Sequence, residues 1–464
     1  MDRPNLLLIT ADHWFGKLLS CAGHPVIHTP TLDSLAAGGV RYPNAYSECP
    51  VCMPARKTLL TGIAPETHGV INNGRNEKVD DELTLAKTLG NAGYQTVCVG
   101  KMHQSPQRWR VGFDEVFTDE EGRSNPDDYE TYLADHGATG LHYAGGMSNN
   151  EYAWRPWHLE ERLHVTNWAT ETMCRQIKRR DPMRPSFWYL SYTHPHPPLT
   201  PLQSYLDILR DVPIDDPVYA DWCQRPELSE AEQRRVRDIR RAFYALCQHI
   251  DHQIRVVIGT LSGHGLLDNT MILFSSDHGD MLGDHGMWAK RRFFENAANV
   301  PMILSGPPKH PKTARPGTVD ERPVGWTDIM PTLLDFAGVE KPSHCDGVSM
   351  VAETPREELF GIMGQDWRML RRGPWKYVFE IQGGTHYLFN VEADRDDLHN
   401  LAHLPDHADL LADMQQRLIA HMPDWDREKY VRDGRLTGSS HRTPPEGSEF
   451  WPRTLSAQRG LQFP

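Results

Sequence analysis

Three features of the sequence predict an α/β fold: a large mixed, mainly parallel sheet between helices, followed by a smaller C-terminal antiparallel-sheet subdomain. Apolar runs of strand length recur through the first two thirds of the chain and are continuous rather than alternating, the pattern of strands buried on both faces. Stretches with helix-capping signals fall between them. After about residue 355 the texture changes to short strands separated by glycine turns.

The strand candidates are Leu6 to Thr10, Thr96 to Val99, Phe187 to Tyr192, Met271 to Ser275 and Val300 to Leu304. Among the helices, Thr84 to Ala92 is closed by Gly93, a natural C-terminal cap. Ser229-Glu230-Ala231-Glu232 is a capping box opening a long helix to roughly Leu261. Asp328 is placed to cap a helix that runs through Pro331 and ends near Gly338. Beyond residue 355, Trp367 to Leu370, Trp375 to Glu380 and Thr385 to Phe389 read as antiparallel strands, with Gly373-Pro374 and Gly383-Gly384 as turns and a helix near Asp406 to His421. The expected organisation is a catalytic-sized domain over residues 1–355, the small subdomain over 356–424, and an irregular tail over 425–464 that is free to mediate a homo-oligomer.

With 464 residues the chain can bury a core in each of two units. Its net charge of −13 argues against nucleic acid or an anionic membrane as a partner, and no apolar run has the length of a membrane span. The run Asn5 to Ala11 is too short for a signal-peptide core and ends at Asp12, so a cytoplasmic location is expected. Eight cysteines in so long a chain do not make a disulfide scaffold. Cys49 and Cys52 have CxxC spacing, but no second pair follows at zinc-site spacing.

The segment Cys52-Met53-Pro54-Ala55-Arg56 with Thr61-Gly62 further on carries the strongest signal. Pro54 suits the first turn of a helix and Gly62 its end, which puts Cys52 at the helix N-terminus where free N–H groups and the macrodipole favour negative charge. Arg56 falls on the same face one turn later. A buried structural cysteine beside a surface ion pair would explain Cys52 and Arg56 alone, but not the whole pattern. That pattern resembles the signature of the formylglycine-dependent sulfatases of the alkaline phosphatase superfamily. Gly100-Lys101-Met102-His103, Ser276-Asp277-His278-Gly279, and Leu388-Phe389-Asn390 with Asn400-Leu401-Ala402 resemble further motifs of the same family.

The resemblance implies an alkaline-phosphatase-like fold and oxidation of Cys52 to formylglycine by a formylglycine-generating enzyme. One hydroxyl of the hydrated aldehyde attacks sulfur, and the other expels sulfate by hemiacetal collapse. It implies a divalent metal near residue 52, with Asp12, Asp277 and His278 at strand ends as ligands. Hard oxygen ligands suit calcium or magnesium. The family's commonest pattern has Asp-Asp early and Asp-Asn late. This chain has Asp12-His13 and Asp277-His278, a softer set that admits manganese or zinc. His13 is a ligand candidate with a second-sphere or substrate-facing role as the alternative. Asp-His at the later motif is also the pattern of choline-sulfatase-like and phosphonate-monoester-hydrolase-like relatives.

By the same resemblance, Lys101 and Lys290 bind the sulfate and His103 handles a proton of the nucleophile. His196, which precedes Pro197, acts as proton donor or anion ligand, whereas His194 is structural. The bland alternatives are a surface lysine and a loop histidine for Lys101 and His103, and a solvated lysine beside Arg291 and Arg292 for Lys290. Arg56, Lys101, Lys290 and His196 would form a positive cluster suited to a tetrahedral anion in an acidic protein. Trp14, Trp109, Trp154, Trp157 and Trp288 either wall the leaving group or simply pack. The segments 119–157 and 199–224 match no motif and are the expected seat of specificity.

The expected activity is therefore hydrolysis of a small-molecule sulfate ester. A phosphonate monoester or phosphodiester hydrolase on the same site is the alternative, because those substrates are monoanions too. A non-catalytic anion-binding relative would need a broken site, and every expected position is filled here.

Overall fold

The structure, a computed structural model, describes residues 3–74, 78–123, 126–142 and 147–439. Eight strands form the main sheet in the order Glu115–Thr118, Gln95–Gly100, Ser186–Ser191, Asn5–Ala11, Thr270–Ser276, Met302–Ser305, Val40–Arg41, Thr318–Val319. The first five are parallel, and the pairings on either side of Met302–Ser305 are antiparallel. The sheet is thus mixed and mainly parallel, and the run expected near Val300 to Leu304 is its antiparallel member.

Both faces of the central strand are covered, which is why its sequence is continuously apolar. Leu7 and Ile9 pack with Trp168 and Ile250, from the helices Val165–Arg179 and Glu230–Gly263. Leu6 and Leu8 point the other way, onto Leu59 and Leu333 from the helices Cys52–Thr61 and Ile329–Ala337. The long helix begins at the capping box, with the Ser229 and Glu232 side chains each bonded to the other's backbone N–H.

The C-terminal sheet is a four-stranded antiparallel meander, Glu358–Met363, Trp367–Arg372, Trp375–Glu380 and Thr385–Asn390. Its first strand was not marked by the sequence reading. One face packs against Phe293, Phe294 and Ala297 of the large unit, and the other against Met414 and Leu418 of the helix Ala408–His421.

Two local expectations are corrected. Asp328 does not cap the helix that follows it. Its carboxylate accepts from Gly325 N and Val348 N and pairs with Arg356, so it ties loops together instead. The tail, expected to be irregular from residue 425, carries a helix over Asp424–Tyr430 and a small hairpin of Val431–Arg432 with Arg435–Leu436; residues 440–464 lie outside the described residues. Among the described residues, no helix is long and apolar enough to cross a membrane.

Candidate active site

The parallel strands end in register. Gly100 pairs with Thr118 and Ser191, Ser191 with Thr10, and Ala11 with Ser276. The residues just beyond those ends therefore meet in one place: Asp119 to Glu121, Lys101 to His103, His194 to His196, Asp12 and His13, and Asp277 and His278. Carboxyl ends of parallel strands are where sites form in such sheets. Gly100 is needed there: its φ is +103°, and a Cβ would lie 1.9 Å from the Ser191 carbonyl O.

Cys52 is the first residue of the helix Cys52–Thr61, after an extended Val51. Pro54 is tolerated in the first turn, where its missing N–H costs nothing, and Gly62 closes the helix at φ +65°. Cys52 Sγ lies 3.2 Å from His278 Nε2 and 3.9 Å from Asp12 Oδ1. Burial and the Asp12 carboxylate oppose ionisation of this thiol. Lys290, Lys101 and His278 outweigh them and lower its pKa. Among the described residues, every cysteine is free, including Cys49.

Arg56 is buried one turn on. It donates from Nε to Asp277 Oδ2 at 3.1 Å and from Nη1 to the Lys101 carbonyl O at 2.7 Å and Ser191 Oγ at 2.8 Å. Lys101 Nζ bridges Asp12 Oδ2 and Glu121 Oε1. Burial would raise the pKa of Asp12, but Lys101 holds it well below the usual carboxylate range. Burial and the neighbouring Asp12 charge raise that of Asp277. His278, despite burial, is raised by Asp277 and Cys52.

Asp12, Cys52, Asp277 and His278 are all buried and each offers a ligand atom, and those atoms lie within 4.8 Å of one another. Two carboxylates, an imidazole and residue 52 fit a single divalent cation. His13 lies outside this group of four. Its Nδ1 is 2.6 Å from Asp280 Oδ2, its Nε2 faces Lys290 Nζ, and with Asp12 and His196 it forms a second potential ligand group. Its φ of +75° is strained for a histidine, so the surrounding contacts hold it there.

His196 Nδ1 is 2.7 Å from the Pro197 carbonyl O and 3.2 Å from Glu121 Oε1. His194 Nε2 instead meets Thr200 Oγ1 at 3.2 Å. His103 joins the network through Arg123, whose Nη2 is 3.1 Å from Nδ1. Trp14 and Trp288 are core residues packed on Phe274 and Tyr152, while Trp109, Trp154 and Trp157 are half-buried. Residues 124–125 and 143–146, within the unassigned segment 119–157, lie outside the described residues.

Sequence reasoning missed Asp280, Glu121 and Arg123. Asp280 stands three residues past Asp277 and could have been found as the partner of a motif histidine. Glu121 sits in the run Asp119-Glu120-Glu121, which reads as a solvated face, yet all three are buried.

The family profile described as Sulfatase matches residues 4–339. This chain belongs to the sulfatase family. It is 31% identical to an arylsulfatase of Clostridium perfringens over 93% of this chain and 96% of that protein. It is 32% identical to a choline-sulfatase of Rhizobium meliloti over 92% of this chain and 88% of that one. Among solved structures, the phosphonate monoester hydrolase of Agrobacterium radiobacter shares the fold with a TM-score of 0.75 at 23% identity, covering 95% of this chain and all of that one. The sulfatases are sulfuric ester hydrolases.

Proposed function

We propose that this sulfatase hydrolyses the sulfate ester of a small organic alcohol, with residue 52 as the source of the nucleophile. The placement of Cys52 carries the reading: it opens a buried helix, with His278 and Asp12 against its Sγ and the charges of Lys101 and Lys290 in reach. Asp12, Asp277 and His278 would hold a divalent cation beside residue 52, which when bound neutralises charge on the sulfate oxygens and on the nucleophile. Calcium suits the two carboxylates, and His278 extends the choice to manganese or zinc. The formylglycine form of residue 52, made by a formylglycine-generating enzyme, supplies a hydrated aldehyde as nucleophile.

The remaining residues orient the ester and move protons. Lys101 Nζ and Lys290 Nζ would bind the sulfate oxygens as fixed charges in a water-poor site. The Pro197 carbonyl O accepts the Nδ1 proton of His196, and Nε2 would donate to the leaving oxygen when the ring takes up a second proton. His103 Nδ1 accepts from Arg123 Nη2, so in the neutral ring Nε2 carries the proton and would donate it to an oxygen at residue 52. Arg56 holds Asp277 and lends charge to the helix N-terminus.

The test is kcat/KM for protein co-expressed with a formylglycine-generating enzyme, on an aryl sulfate, an aryl phosphonate monoester and an aryl phosphodiester, with Cys52→Ala as control. A sulfate preference of about a hundredfold, roughly 2.7 kcal/mol of transition-state discrimination, is expected. A phosphonate or diester preference of that size would reassign the substrate and keep the site. Activity surviving in Cys52→Ala would remove the nucleophile assignment.

A further inference from the structure

A buried carboxylate lies against the residues assigned above to the anion. Glu121 Oε1 is 2.7 Å from Lys101 Nζ and 3.2 Å from His196 Nδ1, and its Oε2 accepts from Arg123 Nη2. The residue is 2% exposed. Its φ of +60° is a left-handed conformation that is strained for a non-glycine residue, so the surrounding structure holds the side chain inward. The segment is pinned on both sides: Glu120 accepts from Met102 N and His103 N, and Asp119 accepts from Thr193 Oγ1. Burial works against ionisation of Glu121, but His196, Lys101 and Arg123 keep it charged, well below the usual carboxylate range.

A negative charge in an anion site acts on the ligand in proportion to the ligand's own charge. An oxyanion accepting from Lys101 Nζ at ordinary hydrogen-bond length lies within about 5.5 Å of Glu121 Oε1. At that distance, in a partly shielded interior, each extra unit of negative ligand charge would weaken binding by about tenfold or more. Lys101 cannot relieve this, since it already faces the two carboxylates of Asp12 and Glu121.

We propose that Glu121 sets the charge class of the substrate: its carboxylate, held against Lys101 and His196, admits a monoanionic tetrahedral ester and disfavours a dianionic one. Glu121 is on this account a specificity-determining residue, and it also favours departure of the dianionic product sulfate. The inference rests on the anion site assigned under the proposed function.

Two measurements test it. In turnover, the ratio of kcat/KM for an aryl phosphate, a dianion at pH 8, to that for the matching aryl sulfate is expected to rise about tenfold or more in Glu121→Gln and to stay near wild type in Glu121→Asp. A Glu121→Gln ratio unchanged within about twofold, with both substrates losing rate together, overturns the proposal and leaves Glu121 a structural residue. In calorimetry, which needs no turnover, Glu121→Gln is expected to bind inorganic sulfate more tightly relative to perchlorate, a monoanion, than wild type does. An unchanged relative affinity also overturns it. Failure of the parent reading shows up separately, as wild-type protein that neither binds sulfate nor hydrolyses a sulfate ester in a residue-52-dependent way.

Discussion

Arg56 and Asp277 form a buried ion pair, with Nε and Nη2 of the guanidinium 3.1 and 3.0 Å from one carboxylate oxygen, and that pair joins the helix carrying the candidate nucleophile to the end of a central strand. Both residues are essentially inaccessible to solvent. Breaking one side leaves an uncompensated buried charge. Arg56→Ala is therefore expected to lower unfolding stability by about 3–5 kcal/mol, and Arg56→Lys by less, since a lysine keeps the charge but not the reach to the Lys101 carbonyl and Ser191. Denaturant unfolding checks this; a change below about 1 kcal/mol in Arg56→Ala would contradict it.

His13 is aimed by Asp280. With its Nδ1 on Asp280 and its Nε2 toward Lys290, the ring is fixed in one orientation beside the candidate metal group. Loss of such an orienting carboxylate typically costs about 10- to 100-fold in activity or metal affinity. Asp280→Asn is expected to lower kcat/KM by that amount with the melting temperature little changed. Steady-state kinetics beside thermal unfolding separates the two effects.

Removing the cation should cost both activity and stability. A chelator is expected to abolish sulfate-ester hydrolysis. Adding back one divalent ion at about a hundred times its Kd should restore it and stabilise the fold by about 2.7 kcal/mol. In Asp277→Asn the stabilisation by added ion should be largely lost. Thermal unfolding with and without calcium, manganese and zinc ranks the ions, and an equal response in Asp277→Asn would place the ion elsewhere.

Glu48 predicts a pH effect away from the cation site. Burial, followed by repulsion from Asp328, raises its pKa from 4.5 to about 7. The folded state thus prefers the protonated form. The stability contribution is fully present below pH 4.5 and is lost as pH rises through about 7. The loss is about 3 kcal/mol at most, and Glu66, raised to about 8 mainly by burial, adds in the same direction. Unfolding free energy at pH 5 and pH 8 should fall less steeply in Glu48→Gln than in wild type; parallel slopes would exclude Glu48 as a contributor.

Much of the fold was legible because burial on two faces leaves a plain mark. Leu6 to Thr10 is apolar without alternation, and only a strand covered by helices on both sides reads that way. The edge strand Glu115–Thr118 left no such mark, being partly exposed, and its absence hid the acidic residues that follow it. The four-stranded meander was three-quarters visible from its glycine turns, while Glu358–Met363 has no comparable turn before it.

For the site, the sequence by itself determined residue types at strand and helix ends: Asp12, Cys52 with Arg56, Lys101, His103, and Asp277 with His278 are local signals that need no neighbour to be recognised. Tertiary structure alone decided which of them touch. The register that aligns Gly100, Ser191, Ala11 and Ser276 brings together residues up to 277 positions apart, as in the contact of His13 with Lys290, and pairwise contact at such separation has no signature in a single chain. Glu121 is the sharpest case. Three consecutive acids are ordinarily a solvated surface, and only the folded cations of Lys101 and Arg123, with His196 Nδ1 against the same carboxylate, let the third stay ionised in the interior.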